Sequence, residues 1–279
     1  MVLSTQHTVV GAGGVNLNVL EYGNASGPAI VFIHGWSQSY MCWLNQLDSN
    51  LAKDYRLIAL DLRGHGLSDA PLSRENYTSR ESWAGDINAI LNHFKLQKVT
   101  LVGWSYGGLV ISDFVRIYGT ERVAGINFVG AAVKLNEAAI GPFIGPGFYE
   151  HFEAAVSNDL LASIDAIRAF LETCFKKKLS REEYERVLCF NMAVRPDVRG
   201  SIAARDLDNV DILKTLKVPV LVTQGEMDTV VLPSMAHCIL EHCELSEASW
   251  YEGVAHGPFI EDAARFNHEL GIFAARVNP

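Results

Sequence analysis

The chain has 279 residues, 49% of them hydrophobic and 20% charged, enough to bury a large core and too apolar for wholesale disorder. Its 23 Lys and Arg stand against 32 Asp and Glu, and a net charge of −9 argues against a phosphate-neutralising surface, so no nucleic-acid partner is expected. No apolar stretch approaches the ~20 residues of a membrane span, and Met1–Val10 lacks the basic and apolar regions of a secretory signal. A cytoplasmic protein with no membrane partner is the expectation. Five cysteines without CxxC spacing then read as reduced thiols, and Lys176-Lys177-Lys178, flanked by Glu182, Glu183 and Glu185, as a solvated run.

In chain order, Ala29–Ile33, Leu57–Leu60, Val99–Val102 and Gly125–Val129 are short continuous apolar runs. Such runs suit strands buried on both faces of a parallel sheet. Helical patterns lie between them. Trp83, Ile87, Ile90, Leu91 and Phe94 share one helix face, and Leu109, Val110, Asp113, Phe114, Ile117 and Tyr118 another. From Ala131 to Leu207 no strand is evident. A segment rich in Gly and Pro (141–147) leads into helical stretches, one carrying Ile164, Ile167, Leu171, Cys174 and Phe175, another opened by the capping-box pattern Ser180-Arg181-Glu182-Glu183. The strand rhythm resumes at Val218–Val222, and Phe266, Leu270, Phe273 and Ala274 line a final helix. The pattern predicts an α/β core from residues 1–130 and 208–279, interrupted by a helical insert over 131–207.

Gly103-Trp104-Ser105-Tyr106-Gly107 follows a predicted strand and precedes a predicted helix. In that context G-x-S-x-G forms a nucleophile elbow, lifting the Ser105 hydroxyl clear of the sheet and leaving the Tyr106 N–H free to donate to an oxyanion. A second turn, Ile33-His34-Gly35-Trp36-Ser37, offers the Trp36 N–H as the other donor, with His34 as a loop brace.

These motifs, together with Asp61-Leu62-Arg63-Gly64-His65-Gly66-Leu67-Ser68, resemble the α/β-hydrolase family, and the resemblance runs almost end to end. It implies a mostly parallel sheet flanked by helices, with the insert as a lid. It also implies that Asp61, Arg63 and His65 brace loops beneath the site. In the family order of Ser, acid, His, Gly253-Val254-Ala255-His256 is similar to the G-x-x-H turn and Gly225-Glu226-Met227-Asp228 to the G-x-x-D turn, with Glu226 the nearest rival acid. The triad so implied is Ser105–Asp228–His256. His237-Cys238 and His242-Cys243 echo one another, but each like pair is five residues apart and diverges around a helix, too few convergent ligands for zinc.

The implied chemistry is hydrolysis of an apolar ester or lactone, a small-molecule substrate, through an acyl-enzyme, with no metal or organic cofactor required. Ser105 at the elbow departs from the Asp of epoxide hydrolases and haloalkane dehalogenases. Perhydrolases, carbon–carbon bond hydrolases, cofactor-free dioxygenases and small-molecule receptors on this fold are the alternatives, and self-association into a homo-oligomer is left open. Phe143, Phe148, Phe190, Met192 and Val194 are candidate pocket residues from the insert, and Trp36, Trp104 and Tyr106 are expected to give an aromatic rim. Relatives with strong perhydrolase activity carry Pro where this chain has Ser37, so Ser37→Pro is expected to raise perhydrolysis relative to hydrolysis.

Overall fold

The structure is a computed structural model that describes residues 4–278. Its strands are β1 (Ser4–Val10), β2 (Asn16–Gly23), β3 (Ala29–Ile33), β4 (Arg56–Leu60), β5 (Val99–Trp104), β6 (Val123–Val129), β7 (Lys134–Leu135), β8 (Leu207–Asp208), β9 (Val220–Gly225) and β10 (Ser246–Tyr251). Eight of them form one sheet in the order β1-β2-β4-β3-β5-β6-β9-β10. From β4 to β10 every neighbour is parallel, while β1 and β2 join antiparallel at one edge. All five residues of β3 and all six of β5 are buried, as their continuous apolar runs require.

The helices of eight or more residues are α1 (Arg80–His93), α2 (Gly107–Tyr118), α3 (Pro146–Ala155), α4 (Leu160–Cys174), α5 (Arg181–Met192), α6 (Pro196–Ala203), α7 (Pro233–His242) and α8 (Ala263–Val277). Trp83, Ile87, Ile90 and Leu91 are buried on α1 and Phe266, Leu270, Phe273 and Ala274 on α8. On α2 the apolar face is narrower than its periodicity predicts, because Ile117 and Tyr118 at its end are exposed. Asp113, inward on the same helix, is instead held in ion pairs with Arg80 and Arg205.

Strands β1, β2 and β10 were not evident from the sequence. β1 and β10 lie at the two edges and each has a single buried residue, so their sequences are mostly polar, while β2, paired between β1 and β4, interleaves Asn16, Asn18 and Glu21 with apolar residues. The segment between β6 and β9 also holds a short antiparallel ribbon, Lys134 opposite Asp208 and Leu135 opposite Leu207. Helices α3 to α6 lie between its two strands. The capping box at Ser180 is formed, with the Glu183 N–H donating to Ser180 Oγ and the Ser180 N–H to the Glu183 carboxylate.

Candidate active site

Strand β5 ends at Trp104 and α2 begins at Gly107, so Ser105 sits in a two-residue turn between them. Its φ is +54°, a left-handed conformation that a serine adopts only where the surroundings impose it. The imposed closeness is visible at the flanking glycines. A Cβ on Gly103 would meet the Gly107 backbone at 2.9 Å, and one on Gly107 would meet the Ile33 carbonyl oxygen at 2.5 Å. The turn is tied to the sheet by the Ser105 N–H donating to the Val129 carbonyl (3.0 Å). Ser105 remains partly accessible where nearly all its neighbours in the turn are buried.

The next two motifs converge on the same sheet end. Asp228, just beyond β9, is buried, and its Oδ2 lies 2.8 Å from His256 Nδ1. Its other oxygen accepts the Val230 and Val231 N–H groups at 2.8 and 3.0 Å. Gln224 Nε2 adds a third kind of support, donating to Oδ2 at 3.1 Å. With all these bonds accepted by the carboxylate, His256 Nδ1 is the donor to it, which fixes the imidazole tautomer and leaves Nε2 as the basic nitrogen. Glu226, the rival acid, points to solvent. The His256 loop is held by its own N–H on the Cys174 carbonyl (3.0 Å) and by Trp104 Nε1 donating to the His256 carbonyl (2.8 Å). Glu261 clamps both sides of this contact, its carboxylate accepting the N–H groups of Ala255, Lys176 and Lys177.

Ser105, Trp36 and Tyr106 line one small cavity of about 30 Å³, room for one or two waters. The backbone N–H groups of Trp36 and Tyr106 make no hydrogen bond among the described residues. The rest of the lining is apolar: Leu109, Ala132, Leu135, Ile144, Phe148, Ala203, Val230 and Val231. Leu135, Ile144, Phe148 and Ala203 also border a cleft of about 400 Å³ whose rim carries Asn136, Glu137, Arg205 and Asp206. The structure thus brings Ser105, Trp36 and Tyr106 to one apolar cavity and pairs His256 with Asp228; neither His256 nor Asp228 lines that cavity.

Comparison with known proteins gives the same reading of the fold. The family described as the alpha/beta hydrolase fold matches residues 28–263. The chain belongs to the α/β-hydrolase family. Among solved structures it is similar to the esterase RhEst1 from Rhodococcus sp. ECU1013, with 36% identity, 98% of this chain and 99% of that chain covered, and a TM-score of 0.93. Among curated proteins it is 26% identical to the AB hydrolase superfamily protein YisY of Bacillus subtilis, over 93% of this chain and 96% of that protein. It is also 26% identical to a non-heme haloperoxidase of Rhodococcus erythropolis, over 95% of this chain and 98% of that one.

Within this α/β-hydrolase, several expected pocket residues lie elsewhere. Of the five named from the insert, only Phe148 reaches the cavity. Phe190 and Val194 are buried in the packing of the insert, and Phe143 lies under Lys134. Met192 packs against Arg199. Trp104 is not at the rim either: it is buried against His256 and Phe259 and braces the histidine loop. Periodicity identified which insert residues are apolar, but which ones reach the cavity depends on how four helices pack. The bracing motifs lie beneath the site. His34 accepts the Leu62 N–H at Nε2 (3.0 Å), Asp61 accepts from Asn18, Tyr40 and Leu67, and Arg63 pairs bidentately with Asp86. Burial pushes the Tyr106 phenol up to about 12, so its hydroxyl stays protonated while accepting from Arg205. Burial, with Asp228 and Glu261 nearby, likewise raises the Cys174 thiol well above its usual range, which removes it as a competing nucleophile. Among the described residues no group of three or more His, Cys, Asp and Glu could hold a metal ion, and no helix is long and apolar enough to cross a membrane.

Proposed function

We propose that this α/β-hydrolase is a serine esterase acting on esters or lactones with a short apolar acyl group, through a Ser105–Asp228–His256 triad. The observation that carries the reading is Ser105 held at φ +54° and lining one apolar cavity with Trp36 and Tyr106, whose backbone N–H groups make no hydrogen bond among the described residues. His256 Nε2 takes the Ser105 proton as Oγ attacks the acyl carbon. The carbonyl π electrons move onto oxygen, where the Trp36 and Tyr106 N–H groups stabilise the charge, a contribution of about 2.7–4 kcal/mol per donor. Collapse expels the alcohol, which receives the proton from His256, and water repeats the cycle on the acyl-enzyme. Asp228 stabilises the imidazolium throughout.

The apolar lining of the Ser105 cavity suits a small apolar acyl group, with the alcohol portion directed into the larger cleft. Residues 131–207 then serve as a lid, since Leu135, Ile144, Phe148 and Ala203 border both spaces. The Rhodococcus esterase likeness supports the ester reading, and the haloperoxidase relative supports a second one, interception of the same acyl-enzyme by peroxide. Turnover of p-nitrophenyl esters from acetate to octanoate, with and without peroxide, tests both. Repeated turnover that falls as the acyl chain lengthens is expected. A single stoichiometric burst would point instead to a receptor-like trap, and efficient peracid formation to a perhydrolase.

A further inference from the structure

Arg199 lies on α6, is fully buried, and forms no ion pair among the described residues. A bare guanidinium in such a place is costly unless its N–H groups and charge are met in another way. The structure shows how. Nη1 donates to the Ala155 carbonyl (2.7 Å) and to Ser163 Oγ (2.9 Å), and Nη2 to the Asn191 carbonyl (2.8 Å). Ala155 is the last residue of α3, and Asn191 lies in the last turn of α5. Both carbonyls are at helix C-termini, where they lack partners within the helix and carry the negative end of its dipole. Two helix ends therefore stand in for a carboxylate. With Ser163 on α4 and Arg199 itself on α6, one side chain joins all four helices of the insert.

The remaining nitrogen, Nε, donates to Ser37 Oγ (3.0 Å), which in turn donates to the Asn191 carbonyl (3.2 Å). Ser37 follows Trp36 directly and has φ +59°, a strained conformation that needs an external hold. Trp36 is tied from its other side by its indole N–H on the Arg199 carbonyl (3.0 Å). The peptide units around the Trp36 N–H are thus fixed to Arg199 by both main chain and side chain.

We propose that Arg199 is a positioning residue for the oxyanion hole, aiming the Trp36 N–H through Ser37 and making that aim depend on the assembled insert. The inference rests on the esterase reading above. Arg199 touches no reacting atom; it acts on where a donor points. Misplacement of a catalytic group by about 1 Å costs on the order of 100-fold in rate.

The test compares wild type, Arg199→Met, Ser37→Ala and the double variant on p-nitrophenyl acetate, with a trifluoromethyl ketone as transition-state analogue and acetate as product inhibitor. Ser37→Ala removes only the hydroxyl that Nε engages and spares the bonds within the insert, so it carries the test if Arg199→Met does not fold. Expected are a kcat lower by about 100-fold in Arg199→Met and about 10-fold in Ser37→Ala, with KM within about threefold of wild type. Affinity for the ketone should fall in step with kcat/KM while acetate inhibition is unchanged. The double variant should be no slower than Arg199→Met, because both act through one contact. Losses in melting temperature with kcat intact, additive losses in kcat, or equal weakening of ketone and acetate would overturn the proposal. An inactive wild type would instead remove the esterase reading on which it stands.

Discussion

Acidification should unfold this protein through two neutral histidines that the native state cannot protonate. His34 and His65 are fully buried with ring centroids 5.0 Å apart. His34 donates from Nδ1 to the Gly35 carbonyl, and its Nε2 faces the Leu62 N–H, so a proton there would meet another donor. His65 donates from Nδ1 to the Arg63 carbonyl, its Nε2 is buried without a partner, and the Arg199 cation is near. Burial lowers His34 to about 4, and burial with the neighbouring His34 lowers His65 to about 3. The unfolded chain protonates both near pH 6.5, so stability is complete above that value and is lost as pH falls toward the native values. Each histidine contributes a slope of up to about 1.4 kcal/mol per pH unit, and together they remove about 4 kcal/mol between pH 7.5 and 5.0. That is a large part of the ~5–15 kcal/mol typical of a domain. Burial raises the carboxyls of Asp61, Asp86 and Asp113. They bind protons more readily native than unfolded, contribute stability that is lost as pH rises, and so oppose the trend at the acid end. Urea unfolding at four pH values from 7.5 to 5.0 reads the slope. His65→Leu should halve it, and a loss below about 1 kcal/mol over that range would show that the two histidines do not control acid unfolding.

Three further outcomes are expected at the site. Asp228→Asn should lower kcat about 10³–10⁴-fold with an unchanged circular dichroism spectrum, whereas exposed Glu226→Gln stays within about twofold of wild type; the reverse would exchange their roles. Gln224→Ala removes a donor to the oxygen that His256 engages and should cost about 10-fold in kcat, read in the same ester assay. Ser37→Pro, attractive from the sequence as a route to perhydrolysis, meets a residue at φ +59° that proline, fixed near −65°, cannot occupy. It also strips Arg199 Nε of its acceptor. Both hydrolysis and perhydrolysis should therefore fall together, and a raised peracid yield would contradict this.

The elbow was legible because its function demands local chemistry: glycines where backbones nearly touch, on either side of one serine. Parallel strands β3 and β5 were legible because both faces are buried, so their residues had to be apolar without interruption. Edge strands β1 and β10, and β2 with its interleaved polar residues, obey no such demand and read as polar linkers. Arg199 and Gln224 were invisible for another reason. Arg199 acts on Ser37 across 162 positions, and Gln224 reaches Asp228 only through the turn that follows β9; no periodicity encodes either bond. The same holds for Ala203, Val230 and Val231, which line the cavity where the insert packs against the loop after β9.

Covalent trapping tests whether Ser105 is the nucleophile. A fluorophosphonate should label the protein once, at Ser105 by peptide mass mapping. Labelling should be abolished in Ser105→Ala, which remains folded and loses ester turnover by about 10⁴-fold or more. Label recovered on Cys174, Ser37 or any other residue, or full turnover in Ser105→Ala, would exclude Ser105 as the nucleophile.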